Sequence, residues 1–321
     1  MLAAYATAFS DDDPLSGLEI GERPAPEVPE GWARVRVRAA ALNHHDLWSL
    51  RGVGLAADQL PMILGTDAAG VDENGDEVLV HSVISSPDWT GDETLDPRRS
   101  LLSERHQGTL AEEVVVPRRN LVPMPPELSF AEAACLPTAW LTAYRMLFTR
   151  GTVRPGMTVL VQGAGGGVAS AAIALGRAAG VRVWATSRSA DKRERALALG
   201  AAAVFETGER LPERVDVVLE TVGEATWSHS LKALKPGGTL VVSGATSGQA
   251  PSAELNRVFF LQLSVVGSTM GTREELGRLL ALLVTTGLRP VIHATHALAD
   301  AREAFAALEG GEVFGKVVVS V

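Results

Sequence analysis

Residues 159–168 read VLVQGAGGGV: an apolar run gives way to five residues, four of them glycine, and an alanine-rich segment follows without a break. Glycine lets the backbone turn with no Cβ in the way, so a strand meeting a helix through such a run leaves bare N–H groups at the positive end of the helix dipole. The flanks supply both elements. Residues 158–162 form an apolar run of strand length, residues 169–179 (ASAAIALGRAA) space Ala, Ile and Leu as on a helix, Gly180 is a helix stop, and VRVWATS from Val181 is the next strand. An ordinary tight turn is the competing reading, but the flanks favour a βαβ unit whose first turn, Gly163, Ala164, Gly165, Gly166, Gly167 and Val168, cradles a dinucleotide phosphate.

The spacing is informative because Gly163, Gly165 and Val168 do not complete G-x-G-x-x-G. Moved on by one residue, Ala164, Gly166, Gly167, Val168 and Ala169 resemble the A-x-G-G-V-G turn of the quinone reductase branch of medium-chain dehydrogenases/reductases, with Ala169 for its last Gly. Seven further segments resemble that family's landmarks in its order: AALNHHDLWSLRG from Ala40, LGTDAAGV from Leu64, GTLAEEVVVP from Gly108, LPTAWLTAYRML from Leu136, VDVVLETVG from Val215, LKPGGTLVVSG from Leu234 and GKVVVS from Gly315. The resemblance covers nearly the whole chain. It implies an α/β oxidoreductase with two domains: a GroES-like β-barrel domain from residues 1–123 and 272–321, and a doubly wound Rossmann domain with a parallel sheet over residues 124–271, with NAD(P)H in the cleft.

Composition fits this without the resemblance. A chain of 321 residues, 46% of them apolar, buries large cores and is long for one domain. Its net charge of −9 and lack of a Lys/Arg cluster argue against nucleic acid or an anionic membrane as the main ligand. No eighteen-residue uncharged apolar run occurs, and Met1 is followed by no basic n-region, so a cytoplasmic protein is expected. The single cysteine, Cys135, fits a reducing compartment. Up to about Pro123 the chain alternates like strands, as in ARVRVRAA from Ala33, between Gly/Pro turns; beyond Ser129 helical and short apolar segments take turns, and TREELGRLLALLVTTG predicts an amphipathic helix ended by Gly287.

The end of the second βαβ strand speaks to the cofactor. NAD sites usually hold Asp or Glu there for the ribose 2′-OH, whereas NADP sites replace it with groups that bind a 2′-phosphate. This strand ends Thr186, Ser187, Arg188, with Lys192 and Arg193 close behind. Arg188 is suited to bidentate phosphate pairing and Ser187 to donating a hydrogen bond, which points to NADP(H). The plain alternative is that these cations solvate a helix start.

The resemblance also bears on metal. Where zinc-dependent relatives carry ligands, the match sets Asn43, Thr66 and Thr138, none a useful zinc ligand, and the stretch 82–104 lacks the four cysteines of a structural zinc lobe. Cys135 falls three residues short of the ligand position, and His44 and His45 are expected to point apart along a strand. Without metal, a substrate carbonyl is polarised by hydrogen bonds, with Asn43 as a candidate donor and His45, in the place of a relay hydroxyl, as a candidate proton donor. His45 is equally readable as an ordinary packed or surface histidine. His44 matches a position near the cofactor pyrophosphate. Trp48 stands where quinone reductases often carry Tyr, and an indole has no O–H proton to deliver. Thr142 corresponds to the residue beneath the nicotinamide, and Val222, Ser243, Gly244 and Ala245 lie at strand ends where Rossmann ligands bind. Trp48, Thr66, Trp140, Phe259 and Phe260 are candidates for the substrate pocket. Asp46 and Asp67 read as buried hydrogen-bond anchors, with Lys316 a partner for one of them.

These residues predict a zinc-independent, NADPH-dependent reductase delivering hydride to a quinone, an enone or another activated carbonyl compound. An alcohol dehydrogenase-like enzyme with another substrate class and a non-catalytic NADPH-binding redox sensor are the alternatives. LSVVGSTMG from Leu263 matches the family's last Rossmann strand, an edge that often pairs two subunits, so a homodimer is expected.

Overall fold

The computed structural model describes all residues, Met1–Val321, and divides into two compact units. The first comprises Met1–Leu141 and Met270–Val321, the second Thr142–Thr269.

In the first unit the strand Trp32–Ala41 is the spine of a seven-stranded sheet. Its alternating Val and Arg put Val35 and Val37 inside and Arg36 and Arg38 out, the period of a half-buried strand. Asp67–Asp72 and Glu113–Pro117 pair with it antiparallel, and the C-terminal strand Lys316–Ser320 joins the same spine with Val318 opposite Ala41. That pairing ties the two ends of the chain into one sheet. A core of Val35, Val37, Ala40, Leu47, Leu50, Val317 and Val319 is completed by Phe305 and Leu308 from the helix Ala301–Glu309. Each fully buried Val or Leu contributes about 1.5–3 kcal/mol relative to exposure.

The second unit is a six-stranded, wholly parallel sheet. From edge to edge the strands are Ala203–Phe205, Arg182–Thr186, Thr158–Val161, Val215–Glu220, Leu234–Val242 and Ser264–Gly267. Chain order reverses between Thr158–Val161 and Val215–Glu220, the switch point at which doubly wound sheets bind ligands. The helix after the glycine run spans Gly167–Ala178 and starts two residues earlier than its apolar spacing suggested, because glycine and Val168 already adopt helical geometry in the turn.

The boundary between the units differs from the sequence reading. Residues 124–141, assigned there to the Rossmann domain, belong with the first unit. The helix Phe130–Ala134 packs on the strands Trp32–Ala41 and Asp67–Asp72, a tertiary contact that no local pattern announces. From Leu136 to Arg150 the chain is helical but irregular, with π-helical turns at Leu136–Trp140 and Arg145–Arg150. No helix is long and apolar enough to cross a membrane.

Candidate active site

The polar centre of the first unit is built from strand ends and helix starts. Asn43 ends the turn after Trp32–Ala41, and the helix His44–Leu50 follows at once. Asp46 locks this corner: its carboxylate accepts the Asn43 N–H at 2.8 Å and the Gly65 N–H at 3.0 Å. Burial pushes the Asp46 carboxyl above its ordinary value, an effect that nearby His45 and the Asn43 N–H only partly offset.

Around Asn43 the hydrogen bonds have fixed directions. Lys316 Nζ donates to Leu42 O at 2.7 Å, Asn43 Oδ1 at 2.6 Å and Asp67 Oδ2 at 3.1 Å, which uses all three ammonium protons. The ammonium on one side and the carboxylate on the other orient the Asn43 amide, so Nδ2 faces Asp67 Oδ2 at 2.9 Å and also reaches Thr66 Oγ1 at 3.2 Å. Thr66 Oγ1 in turn lies 3.0 Å from Thr138 Oγ1. Asn43, Thr66, Asp67 and Lys316 are buried, whereas Thr138 is partly exposed. Asp67 Oδ1 has no partner. Thus the three positions matched to zinc ligands do converge, through an amide and two hydroxyls.

Cys135 stands apart from them. Its thiol donates to Ala131 O one helical turn back, and burial pushes it up to about 12. His44 and His45 open a short helix, where the sequence reading had them on a strand. His44 is exposed. His45 is partly buried, with Nε2 3.3 Å from Glu104 Oε1 and Nδ1 3.5 Å from Ser103 Oγ. Burial raises the Glu104 carboxyl, but the hydrogen bonds from His45 and the Leu101 N–H outweigh it and hold it below its ordinary value. Glu104 escaped the sequence reading because nothing local marks it as a partner of His45.

In the second unit the glycine run forms the tight strand-to-helix turn that its composition predicts. Gly163 and Gly165 take positive φ, 74° and 135°. A Cβ on Gly163 would meet Val222 at 2.7 Å, and one on Gly165 would meet Lys192 Cδ at 2.8 Å, while Gly166 faces open space. The side chain of Lys192 therefore lies across the turn. Gly163 N–H and Ala164 N–H are tied to Thr186, and Gly166 starts the helix with no side-chain cap. Ser187 is buried at the strand end, and the exposed Arg188 side chain has no partner. Arg193 is already committed, to Ser187 O at 2.7 Å and to Glu206 at 3.2 Å.

Behind the turn lies a polar network that the sequence reading missed. Buried Gln162 accepts from Thr186 Oγ1 at 2.6 Å and donates to Ser230 Oγ at 2.9 Å; buried Glu220 accepts from the N–H groups of Val222 and Gly223 at 2.8 and 3.0 Å, and from Thr226 and Ser230. Glu220 thereby fixes the loop holding Val222, and its backbone oxygen receives Ser243 N–H. Ser243, Gly244 and Ala245 follow the strand Leu234–Val242 and are partly exposed. Thr142 is buried.

The pocket candidates separate. Trp48 is partly exposed, Thr66 is buried and bonded to the partly exposed Thr138, and Trp140 is 1% exposed, a core residue whose indole N–H lacks a partner. Phe259 and Phe260 are 59% and 76% exposed on the helix Leu255–Phe260, their rings 4.7 Å apart, which corrects the expectation that they wall a pocket. A six-residue helix beside an edge strand has nothing of its own unit to cover them.

Comparison with known proteins agrees with this architecture. Residues 29–126 match the alcohol dehydrogenase GroES-like domain, and residues 167–285 match a model described as zinc-binding dehydrogenase. The crystal structure of an NAD-dependent alcohol dehydrogenase is similar at a TM-score of 0.92 and 37% identity over the whole of both chains. A 2-octenoyl-CoA carboxylase reductase, solved with NADP and 2-octenoyl-CoA, has a TM-score of 0.91 at 28% identity, covering 99% of this chain and 87% of its own. Crotonyl-CoA reductase of Streptomyces collinus is 28% identical over 92% of this chain and 79% of its own length. The chain belongs to the medium-chain dehydrogenase/reductase superfamily, a family of oxidoreductases.

The zinc named in one of those descriptions does not fit the residues present. Catalytic zinc takes three ligands from Cys, His, Asp and Glu. The converging positions are Asn43, Thr66 and Thr138, the adjacent carboxylate already pairs with Lys316, and no group of three or more His, Cys, Asp or Glu is placed to hold a metal.

Proposed function

We propose that the protein is a zinc-independent, NADPH-dependent reductase of α,β-unsaturated carbonyl compounds, with enoyl thioesters as the leading substrate class. The carrying observation is the hydrogen-bonded set of Asn43, Thr66 and Thr138 where zinc-dependent relatives have ligands. Reduction of a simple ketone or oxidation of an alcohol leans on a strong electrophile at oxygen. Reduction of a conjugated double bond moves charge onto the carbonyl oxygen as an enolate, which well-placed hydrogen bonds in a dry site stabilise. Relatives named as crotonyl-CoA reductase and 2-octenoyl-CoA carboxylase reductase support this chemistry; quinones share it and remain within the proposal.

The cofactor's pyrophosphate is assigned to Gly165, Gly166, Gly167 and Val168 with Lys192, and its 2′-phosphate to Ser187 and Arg188. Bound NADPH supplies the hydride. Thr142, Val222, Ser243, Gly244 and Ala245 are proposed to hold its nicotinamide half. Asn43 orients the polar centre that receives the carbonyl. His45, held by Glu104, is the proposed proton donor to the enolate. We also propose a homodimer paired through Ser264–Gly267, an edge strand with one side unpaired and Val265 exposed.

A second reading is supported by the relative at 37% identity, described as an NAD-dependent alcohol dehydrogenase. One screen separates the two. NADPH oxidation with crotonyl-CoA, 1,4-benzoquinone, 2-hexenal and cyclohexanone, with and without a chelator, is expected to show turnover on conjugated acceptors that chelation leaves unchanged. Alcohol oxidation with NAD that chelation abolishes supports the second reading. Tight NADPH binding with no turnover on any acceptor overturns both in favour of a redox sensor.

A further inference from the structure

We infer that the Thr138 hydroxyl is a catalytic hydrogen-bond donor, the group that holds the substrate's carbonyl oxygen; this rests on the proposed reduction of a conjugated carbonyl. The argument follows proton directions from the buried end outward. Lys316 can only donate, so Asn43 Oδ1 must accept, at 2.6 Å. The same amide's Nδ2 is then a donor, its two protons shared among Asp67 Oδ2 at 2.9 Å, Thr66 Oγ1 at 3.2 Å and Ala41 O at 3.3 Å, so toward this amide Thr66 can only accept. Thr66 has one proton of its own. Its only other partner is Thr138 Oγ1 at 3.0 Å, because the unsatisfied Asp67 Oδ1 takes no bond from it. Either hydroxyl of that pair could donate when it is viewed alone; Thr66 is wholly buried with no other acceptor for its proton, whereas Thr138 is partly exposed, so the arrangement that leaves no buried proton unsatisfied has Thr66 donating and Thr138 accepting.

The Thr138 proton is left over, and no acceptor within the protein takes it. Threonine hydroxyls on helices commonly bond back to a carbonyl of the preceding turn. Thr138 makes no such bond, since it lies in the π-helical turn Leu136–Trp140, a distortion that often marks functional positions by re-aiming a side chain. It is also the one partly exposed member of a set otherwise buried. A row of aligned hydrogen bonds that starts at a buried ammonium polarises each donor along it, so the terminal O–H is more acidic than an isolated hydroxyl. Negative charge developing on a carbonyl oxygen is the partner such a donor fits. Where a metal would bring positive charge to the oxygen, the site offers a neutral O–H donor, oriented through Thr66 and Asn43 by the Lys316–Asp67 ion pair, with no proton leaving the chain of bonds.

The test compares Thr138→Val, which keeps shape and deletes the hydroxyl, with Thr138→Ser, which keeps the donor. Steady-state kinetics with NADPH and the acceptor most active in the screen, with crotonyl-CoA as the default probe, are read beside NADPH affinity and melting temperature. Loss of one donor to a developing oxyanion typically costs about 10²–10³-fold in rate. Thr138→Val is expected to lose roughly that much kcat, with NADPH affinity unchanged and a modest fall in melting temperature because the buried Thr66 hydroxyl loses its acceptor, and Thr138→Ser to recover most of both. Wild-type-like kcat in Thr138→Val overturns the assignment while leaving the enoyl reductase reading intact. A wild-type protein inactive on every conjugated acceptor defeats that reading first, and this inference with it. If Thr138→Val does not fold, Thr138→Cys replaces the hydroxyl with a weak donor of similar size; full activity in that variant overturns the assignment equally.

Discussion

At Lys316 all three ammonium protons are taken by buried acceptors, and one of these acceptors is the carboxylate of Asp67, itself wholly enclosed. Lys316→Met keeps the stem and deletes the charge, which leaves Asp67 buried and unpaired. Such a loss costs about 3–5 kcal/mol, so the urea midpoint is expected to fall sharply, and an unchanged midpoint would show that the Lys316–Asp67 pair adds little to stability. Arg188 is the opposite case: exposed, without a partner, and beside buried Ser187. Arg188→Ala is expected to weaken NADPH binding at least tenfold and NADH binding little, by fluorescence titration; equal losses for both would remove the 2′-phosphate from its role. Ser187 and Arg188 could be singled out as candidates in the sequence because the argument for them depends on neighbours one or two residues away. Thr138 was only a matched position until folding set its hydroxyl against Thr66.

The glycine turn shows how an element can be right in kind and more specific in detail. Its run predicts close backbone approach; the structure adds that Gly165 has φ of 135° and that Lys192 occupies the space its Cβ would need. Gly165→Ala therefore meets two obstacles, a backbone region that costs an L-residue about 1–3 kcal/mol and a displaced lysine. The expected outcome is at least a tenfold loss of NADPH affinity with the fold retained by circular dichroism. Full affinity would mean that the turn relaxes freely. The helix Arg273–Thr286 was readable end to end, because its capping box (Thr272 with Glu275) and its stop at Gly287, φ 69°, are local devices. The π-helical turns between Leu136 and Arg150 were not, since no residue spacing distinguishes them from an α-helix. The segment 124–141 was misassigned for a related reason: which unit a helix joins is decided by the face it buries.

Across the whole molecule, both units end their main sheets in ways that matter for assembly. In the first unit Lys316–Ser320 is an interior strand that joins the N-terminal half, with Ile292–Ala297 beyond it at the edge, and in the second Ser264–Gly267 is an edge strand bearing exposed Val265. Exposed Phe259 and Phe260 lie just before that strand in the chain. If this edge carries the proposed homodimer, Val265→Lys is expected to shift sedimentation to the monomer without lowering the melting temperature of a single subunit, because charge on an edge strand blocks edge-to-edge pairing. A wild-type monomer at tens of micromolar would refute the assembly outright.

By itself the sequence determined the family, the two kinds of sheet, the glycine turn between strand and helix, the candidate 2′-phosphate cation and the residue types at the positions matched to zinc ligands. Each of these is written in short windows, as spacing, composition or a residue type that cannot do a given chemistry. Only the tertiary structure decided the boundary at Leu141, the commitment of Arg193 to Glu206, the exposure of Phe259 and Phe260, and the ordered line of hydrogen bonds from Lys316 to Thr138. Those depend on residues far apart in the chain meeting in one place. The direction of a hydrogen bond is fixed only when all of its neighbours are known.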